Sequence, residues 1–407
     1  MRVGDTFKHG NWRALLLAVG VLLTTGCQTR PDESADPAPI AGHGHASLAN
    51  ATALPPDDAE LAATPAIDLR AATDVTGLVD RLVDTRVVYL GEQHDRYEQH
   101  LLQAAVIRGL RERGVPLAIG MEQFQRRFQP ALDDFIAGRI DTTGLLRQSE
   151  YYQRWRFDFR LYQPILDYAR KHGIPVLALN AEAELTRRVG KVGLGGLSAE
   201  ERNRLPLEYG EADASYRAVL QRVFSAHASG PERNFEHFVD VQLSWDETMA
   251  ETAANYLLAN PDRHLVVLVG AGHVVERHGI PNRVRRRLPV TDSVVLMGET
   301  GDVGSDRADW MLLPLPAELP PSGKMGILME DSEQGVRVVE AMKNSAAAVA
   351  GVNAGDIMTE IDGQALATTG DVRTALFAKR PGDTVTLTVH GAEDEVLRTL
   401  PLVLKAH

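Results

Sequence analysis

Val87-Val88-Tyr89-Leu90-Gly91-Glu92-Gln93-His94 is an apolar run that ends abruptly in ionisable side chains. Its four consecutive apolar residues are typical of a strand covered by helices on both faces, because a half-exposed strand would alternate with polar residues. The runs at 117–119, 176–179 and 265–269 have the same continuous apolar character. Together the four runs predict the strands of a buried parallel sheet.

The residues between the first two strands predict a helix. Asp95 stands at the expected N-cap with Glu98 three residues later, and Gly114 and Pro116 mark the end of the helix. A strand, a helix and a second strand in succession form the unit from which parallel sheets with right-handed crossovers are built. The side chains expected to face the sheet are Leu101, Leu102, Ala105, Val106 and Leu110.

The chain has 407 residues, of which 44% are hydrophobic, and is too long for one ordinary domain. We predict an α/β domain over 67–300, with a parallel-type sheet flanked by helices and with helical insertions at about 130–168 and 187–258. A Pro- and Gly-rich linker over 301–323 then leads to a small β-rich domain over 324–405. The net charge of -12 and the interspersed basic residues exclude nucleic acid as an expected partner.

The N-terminal residues have the pattern of a lipoprotein signal peptide. A short apolar run follows a basic start, and Gly26-Cys27 at its end resembles a lipobox. This predicts a signal peptide over 1–26, lipidation of Cys27 and a disordered tether over 27–66, which is rich in Pro, Ala, Asp, Ser and Thr. Because Gln28 rather than Asp follows the cysteine, we expect an outer membrane lipoprotein that faces the periplasm or the cell surface. Only its lipid anchor would contact the membrane.

Ionisable side chains follow three of the predicted strands. In an open parallel sheet the carboxyl ends of the strands face one crevice, so we expect Glu92, His94, Glu122 and His273 to converge there. Imidazole and carboxylate together suit a divalent metal ion or a general base with its orienting partner. The convergence is the strongest functional signal in the sequence.

The C-terminal residues resemble a bacterial PDZ domain over the whole of 324–405. Gly355-Asp356, Asp362-Gly363 and Pro381-Gly382-Asp383 occupy the expected turns. By this resemblance, Met325, Gly326 and Ile327 form the loop whose backbone N–H groups receive a peptide C-terminus as the peptide adds a strand to the sheet edge. Arg373, Leu376 and Phe377 fall on the helix beside the groove.

The α/β region resembles the ChaN-like haem-binding family, which is related to the wider Tiki and TraB superfamily. The resemblance spans about 69–297, and the order in which its motifs occur is more specific than any one motif. These motifs are Gly91-Glu92-Gln93-His94-Asp95, Gly120-Met121-Glu122, Ala178-Leu179-Asn180, Gln242, Trp245-Asp246-Glu247, Met249-Ala250, Gly272-His273-Val274 and Gly279-Ile280-Pro281.

The resemblance implies haem as the cofactor, bound as a cofacial pair between two monomers, and a link to iron uptake. It implies a tyrosine as iron ligand, for which Tyr162 is our choice, with His94, His273, Glu92 and Glu122 as further cofactor-binding residues. Cys27 is the only cysteine, so no Cys-x-x-Cys-His motif is present and haem would be held non-covalently. The other tyrosines in the helical insertions are Tyr151, Tyr152, Tyr209 and Tyr216, and Trp155, Phe157 and Trp245 are interpreted as core residues.

The same resemblance supports a rival function. Relatives in the superfamily are metal-dependent peptidases or esterase-like hydrolases that use these positions. Glu92, His94, Glu122 and His273 would then bind or activate water, with His94, Glu122 and His273 as the metal ligands. A third hypothesis is a scaffold whose first domain has lost its chemistry. We favour a haem-binding protein whose PDZ domain recruits a peptide or protein partner, and a metal-dependent envelope peptidase or hydrolase is the alternative.

Overall fold

The computed structural model describes residues 72–226, 234–298, 306–392 and 396–406. The predicted signal peptide, Cys27 and the tether lie outside these residues, as do positions 299–305, which include the first five residues of the predicted linker. Among the helices in the described ranges, none combines the length and the apolar character that crossing a membrane requires.

A six-stranded parallel sheet forms the centre of the first domain. Its strand order is β3-β2-β4-β1-β5-β6, so the predicted parallel sheet is confirmed. β4 lies between β1 and β2, although these two strands are consecutive in the chain. The strands are β1 (Val87–Glu92), β2 (Leu117–Gln125), β3 (Val176–Asn180), β4 (His264–Gly270), β5 (Asp292–Met297) and β6 (Trp310–Leu312).

Both faces of this sheet are buried, which explains the continuous apolar runs. Val88 and Leu90 of β1 point into one hydrophobic core, whereas Val87 and Tyr89 point into another on the opposite face. Helices cover the two faces: α1 (Val75–Leu82), α2 (Tyr97–Glu112), α3 (Gln129–Ile136), α4 (Thr142–Gln148), α5 (Tyr151–Arg154), α6 (Gln163–His172), α7 (Ala183–Val192), α8 (Ala199–Asn203), α9 (Ala214–Ala226), α10 (Phe235–Ala259) and α11 (Ile280–Arg287).

Helix α2 differs from the prediction at its start and in its buried face. Its N-cap is Arg96, with no side-chain cap, so the prediction of Asp95 as the capping residue is wrong. The helix turns polar side chains such as His100 and Gln103 towards the sheet, whereas Leu101 is 37% exposed. The reason is that Glu92, at the end of β1, accepts a hydrogen bond from Gln103 and lies beside His100. Hydrogen bonding at the site therefore displaces Leu101 from the buried face, whereas Val106 and Leu110 are buried as predicted.

The C-terminal domain is a small antiparallel sheet with two helices, as the sequence predicted. The strand order is β12-β11-β9-β8-β7, with β10 paired to β9, so β7 is an edge strand. The elements are β7 (Ile327–Ser332), β8 (Gly335–Ala341), α12 (Ala346–Val349), β9 (Ile357–Ile361), β10 (Gln364–Ala365), α13 (Thr369–Leu376), β11 (Thr384–His390) and β12 (Leu397–Val403).

The two domains touch through α13 on one side and α4 and α5 on the other. Gln153 Nε2 donates to Thr368 Oγ1 at 2.8 Å, and the rings of Phe159 and Phe377 meet edge to face at 5.6 Å. The described residues from Thr73 onward belong to a single compact unit. The segment that follows α5 is consequently shared between the first domain and the border of the second.

Candidate functional site

The sheet topology brings the four predicted strand-end residues to one place. Glu92 ends β1, Glu122 lies in the last part of β2, and His273 follows β4, the strand between them. His273 Nε2 is 3.5 Å from Glu122 Oε1, and the Gly270 amide donates to Glu122 Oε2 at 2.7 Å. A Cβ built on Gly270 would lie 3.0 Å from Nε2 of His94, so both histidines lie at the same edge of the sheet.

Glu92 is the acceptor at the centre of a buried hydrogen-bond network. Tyr162 Oη donates to Glu92 Oε1 at 2.9 Å, and Gln103 Nε2 donates to Oε2 at 2.6 Å. Gln123 Nε2 adds a third hydrogen bond, to Oε1 at 3.1 Å. Burial alone would raise the pKa of Glu92, but the charge of His100 and the hydrogen bond from His94 lower this pKa to about 2. The carboxylate is therefore ionised and can only accept.

The ionised Glu92 fixes the protonation of His94. Nδ1 of His94 is 2.9 Å from Glu92 Oε1, and because a carboxylate has no proton to give, Nδ1 carries the hydrogen. In the neutral ring the lone pair is then on Nε2, as in histidines that bind metals with a carboxylate behind them. Burial lowers the pKa of His94, but Glu92 and Glu122 outweigh it and leave this pKa raised.

A second hydrogen-bonded chain runs from Glu122 into the protein. His273 Nδ1 lies 2.7 Å from Asp246 Oδ1, and Tyr216 Oη donates to Asp246 Oδ2 at 2.6 Å. Against the effect of burial, the charge of Glu122 and the hydrogen bond to Asp246 raise the pKa of His273 to about 10. His273 is therefore a buried imidazolium between two acids at neutral pH.

Asp246 and its neighbour Glu247 were not predicted as site residues, although a signal exists. Two acids in succession lie in the middle of α10 and are completely buried. Glu247 forms ion pairs with Arg283, Arg286 and Arg287 at 2.7 to 3.1 Å, which hold α11 against α10. An acidic pair buried in the middle of a helix needs partners of opposite charge, and this requirement could have identified both residues.

A cavity of about 190 Å³ lies in front of this network. His94 and Glu122 line it, together with Trp155, Phe157 and Trp245, so these aromatic residues do more than fill the core. The ring centroids of Trp155 and Phe157 lie 4.7 and 5.2 Å from that of His94. The rest of the lining comes from Gln123, Gln125, Arg154, Arg156, Asn180, Ala181, Ala183 and Thr186.

Two predicted roles receive no support from the geometry. Tyr162 is fully buried, and its hydroxyl is occupied by Glu92 and by Trp155 Nε1 at 3.2 Å. Burial and the charge of Glu92 raise the pKa of Tyr162 well above its ordinary value, which opposes an iron-bound phenolate. Within the described ranges, no three or more His, Cys, Asp or Glu side chains are arranged to hold a metal ion. The metal set His94, Glu122 and His273 therefore stays a prediction.

The predicted peptide-binding residues lie together in the second domain. Met325, Gly326 and Ile327 line a groove of about 560 Å³ that is bounded on its other side by Arg373 and Leu376 of α13 and by Phe377. Gly326 has φ +72°, and a Cβ there would lie 2.4 Å from the Ser345 Cβ. Both facts require glycine at this turn.

The chain is similar to several known proteins. Protein RETICULATA-RELATED 5, chloroplastic, from Arabidopsis thaliana is 26% identical over 238 residues, which are 54% of this chain and 32% of that protein, so the chain spans about a third of this curated relative. The structure described as cofacial heme binding to ChaN of Campylobacter jejuni is 18% identical, covers 59% of this chain and 91% of that chain, and has a TM-score of 0.48. The HtrA3 PDZ domain bound to a phage-derived ligand is 20% identical, covers 20% of this chain and 86% of that chain, and has a TM-score of 0.18.

Two protein-family models match the chain. The PDZ domain matches at 323–399, over the antiparallel sheet and its groove. The model described as haem-binding uptake, Tiki superfamily, ChaN matches at 78–284 and includes Glu92, His94, Glu122 and His273. Because this second match spans just over half of the sequence, the chain belongs to the ChaN haem-binding uptake family of the Tiki superfamily and carries a PDZ domain after it.

Proposed function

We propose that this protein binds haem non-covalently in the cavity beside His94, as part of iron uptake at the cell envelope. The family to which residues 78–284 belong supports haem as the ligand. One observation carries the proposal: Nδ1 of His94 is held by Glu92, and the imidazole lies between aromatic walls in a cavity. Bound haem supplies an iron centre that this arrangement can ligate.

The residues of the cavity fit the chemistry of haem. Trp155, Phe157 and Trp245 offer flat apolar surfaces to a porphyrin. Oε1 of Gln123 is buried at the cavity wall without a hydrogen-bond partner among the described residues, which leaves a polar group for a ligand or water to satisfy.

The size of the cavity implies that haem is only partly enclosed. Pockets that surround a small molecule usually measure roughly 300–1,000 Å³, whereas this cavity measures about 190 Å³. It therefore takes one edge of the porphyrin and leaves the remainder exposed. A second copy of the chain could cover that remainder, in keeping with the cofacial pairing that the family resemblance implies. Sedimentation of the full chain with and without hemin tests this homodimer.

His94 is the iron ligand that this proposal assigns. Within the described residues, it is the only histidine that lines the cavity, and no tyrosine lines it. Its Nδ1 is held by Glu92, whereas its Nε2 has no hydrogen-bond partner among those residues. The hydrogen bond from Nδ1 to Glu92 makes the ring more basic and fixes its orientation. The charges of Glu122 and His273 also act on the imidazole, since Glu122 raises the pKa of His94 and His273 lowers it.

Hemin titration of the full chain in detergent tests the assignment, with detergent alone as the blank. We expect a saturable shift of the Soret band at micromolar hemin and its loss in His94→Ala. His172→Ala is the matched control, because His172 is an exposed histidine at the end of α6. Absence of a shift in the wild-type chain would remove haem as the ligand. An unchanged shift in His94→Ala would remove His94 as the ligand to iron.

The proposal also includes the cellular location and the second domain. Lipidation of Cys27 would place the protein at the outer membrane, facing the periplasm or the cell surface, and the PDZ domain would recruit a peptide or protein partner. Incorporation of labelled palmitate into cells that express the full chain tests the anchor. We expect labelling of the wild-type chain and none of Cys27→Ser, and equal labelling of both would contradict the anchor.

A further inference from the structure

The groove of the PDZ domain has a wall that the PDZ domain does not supply. Besides β7, α13 and the loop before β7, its lining includes Tyr152, Arg156, Asp158 and Arg160 of the first domain. This wall is held in place by direct contacts: Arg373 donates to the backbone carbonyl of Arg156 at 3.3 Å, beside the Gln153 hydrogen bond to Thr368. A peptide in the groove would therefore touch both domains.

The groove is prepared for a backbone ligand. β7 pairs only with β8, so its other edge is free to add a strand. The backbone N–H groups of Met325 and Gly326 have no hydrogen-bond acceptor among the described residues. Two adjacent free N–H groups beside an open strand edge suit the carboxylate at the end of a peptide.

The charge around the groove is one-sided. Arg156, Lys324 and Arg373 are exposed and have no ion-pair partner in the part of the chain that the structure describes. The one acid that lines the groove is Asp158, and it is paired with Arg160 at 2.6 Å. The protein as a whole is acidic, with a net charge of -12, so this basic rim is a local exception. Such a rim attracts and orients acidic ligands.

The backbone conformation of Arg156 indicates a role in binding. Its φ is +70°, in the left-handed region that non-glycine residues rarely adopt. Such a conformation persists where surrounding contacts enforce it, and these residues concentrate at binding sites. The neighbours of Arg156 on either side, Trp155 and Phe157, line the first cavity, while Arg156 lines both cavities.

We infer that the groove selects peptides that have a free C-terminus and an acidic residue shortly before it. Arg156 of the first domain forms an ion pair with this acidic side chain. The inference rests on the proposed peptide-binding role and adds its ligand class. The free amides at 325 and 326 receive the terminal carboxylate. The basic rim, to which the first domain contributes Arg156, receives the acidic side chain.

Selection from a random heptapeptide library with free C-termini, carried out on the full chain, tests the inference. We expect enriched peptides to contain more Asp and Glu than the starting library. A synthetic copy of one enriched peptide should bind about three- to fivefold more weakly when its acid is replaced by the amide, as expected for a solvent-exposed charge pair. This difference should vanish in Arg156→Gln.

Arg111→Gln is the control, because Arg111 is exposed at the end of α2 and does not line the groove. It should keep the preference for the acidic peptide, and equal urea midpoints of the two variants show that both are folded. Enriched peptides without an excess of acids, or a preference that survives Arg156→Gln, would overturn the inference and leave the peptide-binding role intact. Failure to enrich any peptide would remove that role as well.

Discussion

The two cavities of this protein differ in the interactions that form them. The cavity at the sheet edge has a buried network of ionised side chains behind it, in which Glu92 alone accepts hydrogen bonds from four donors at 2.6 to 3.1 Å. The groove of the PDZ domain relies on an open strand edge, a glycine turn and exposed basic side chains. A buried network depends strongly on each of its members, whereas exposed charges contribute little one at a time. The first cavity should thus be sensitive to single substitutions and the groove tolerant of them.

The largest effect is expected from Glu92→Ala. Removing this carboxylate takes the acceptor from the buried donors of Tyr162, Gln123 and His94, so the free energy of unfolding should fall by about 3–5 kcal/mol. Urea denaturation of the full chain measures it. Glu112→Ala is the control, since Glu112 is exposed at the end of α2 and its loss should change little. If Glu92→Ala lowered the free energy of unfolding by less than about 1 kcal/mol, the first cavity would be no more sensitive to single substitutions than the groove.

The pH dependence of stability sharpens the same distinction. The pKa of His273 rises from 6.5 to about 10 on folding, so its stabilising contribution is complete below pH 6.5 and is lost as pH rises towards 10. Over that window the free energy of unfolding should fall by at most about 1.4 kcal/mol per pH unit. Urea midpoints measured from pH 6.5 to 10 should show the decline in the wild-type chain and a smaller one in His273→Gln. Identical pH profiles of the wild-type chain and His273→Gln would contradict the assignment of this decline to His273.

Among single substitutions in the groove, Gly326→Ala should lower the free energy of unfolding most. Alanine there must adopt φ +72° and meet Ser345, which should cost more than the strain of about 1–2 kcal/mol alone. Gly382→Ala is a matched control, because its φ is +93° but its Cβ would meet nothing within 4 Å. Unfolding free energies of the two variants separate strain from contact. Equal losses would show that the Ser345 contact relaxes freely.

The smallest effect concerns the aromatic wall of the first cavity. Trp155→Leu keeps an apolar side chain but loses the flat ring beside His94, and hemin affinity should fall by about three- to tenfold. Absorbance titration measures it. Trp310→Leu in β6, outside the cavity lining, should leave the affinity unchanged. If both variants bind hemin as the wild-type chain does, the ring makes no contact with the porphyrin.

The parallel sheet and the gathering of acids and imidazoles at its edge could be predicted because continuous apolar runs report burial on two faces and parallel strands end at one edge. Glu92, His94, Glu122 and His273 follow directly from that rule. The PDZ groove could be predicted from its turn glycines and its loop motif.

The remaining features depend on contacts between distant parts of the chain. Asp246 became a partner of His273 only through the packing of α10 against the segment after β4. On α2, Val106 and Leu110 are buried as predicted, but Leu101 is exposed because Gln103 and His100 meet Glu92 instead. Trp155 and Phe157 looked like core residues, and nothing in the local pattern places them beside His94. Tyr162 was chosen as the iron ligand from the family resemblance; its buried hydroxyl donates to Glu92, and its role as a ligand stays a prediction.

The place of β4 between β1 and β2 has a consequence for biosynthesis. During translation, β1 and β2 leave the ribosome more than a hundred residues before the strand that pairs with both. Until residue 270 has been made, each of the two presents an apolar strand with an unpaired edge, a state prone to aggregation. Nascent chains of this protein should therefore need protection from aggregation until the centre of the sheet can close.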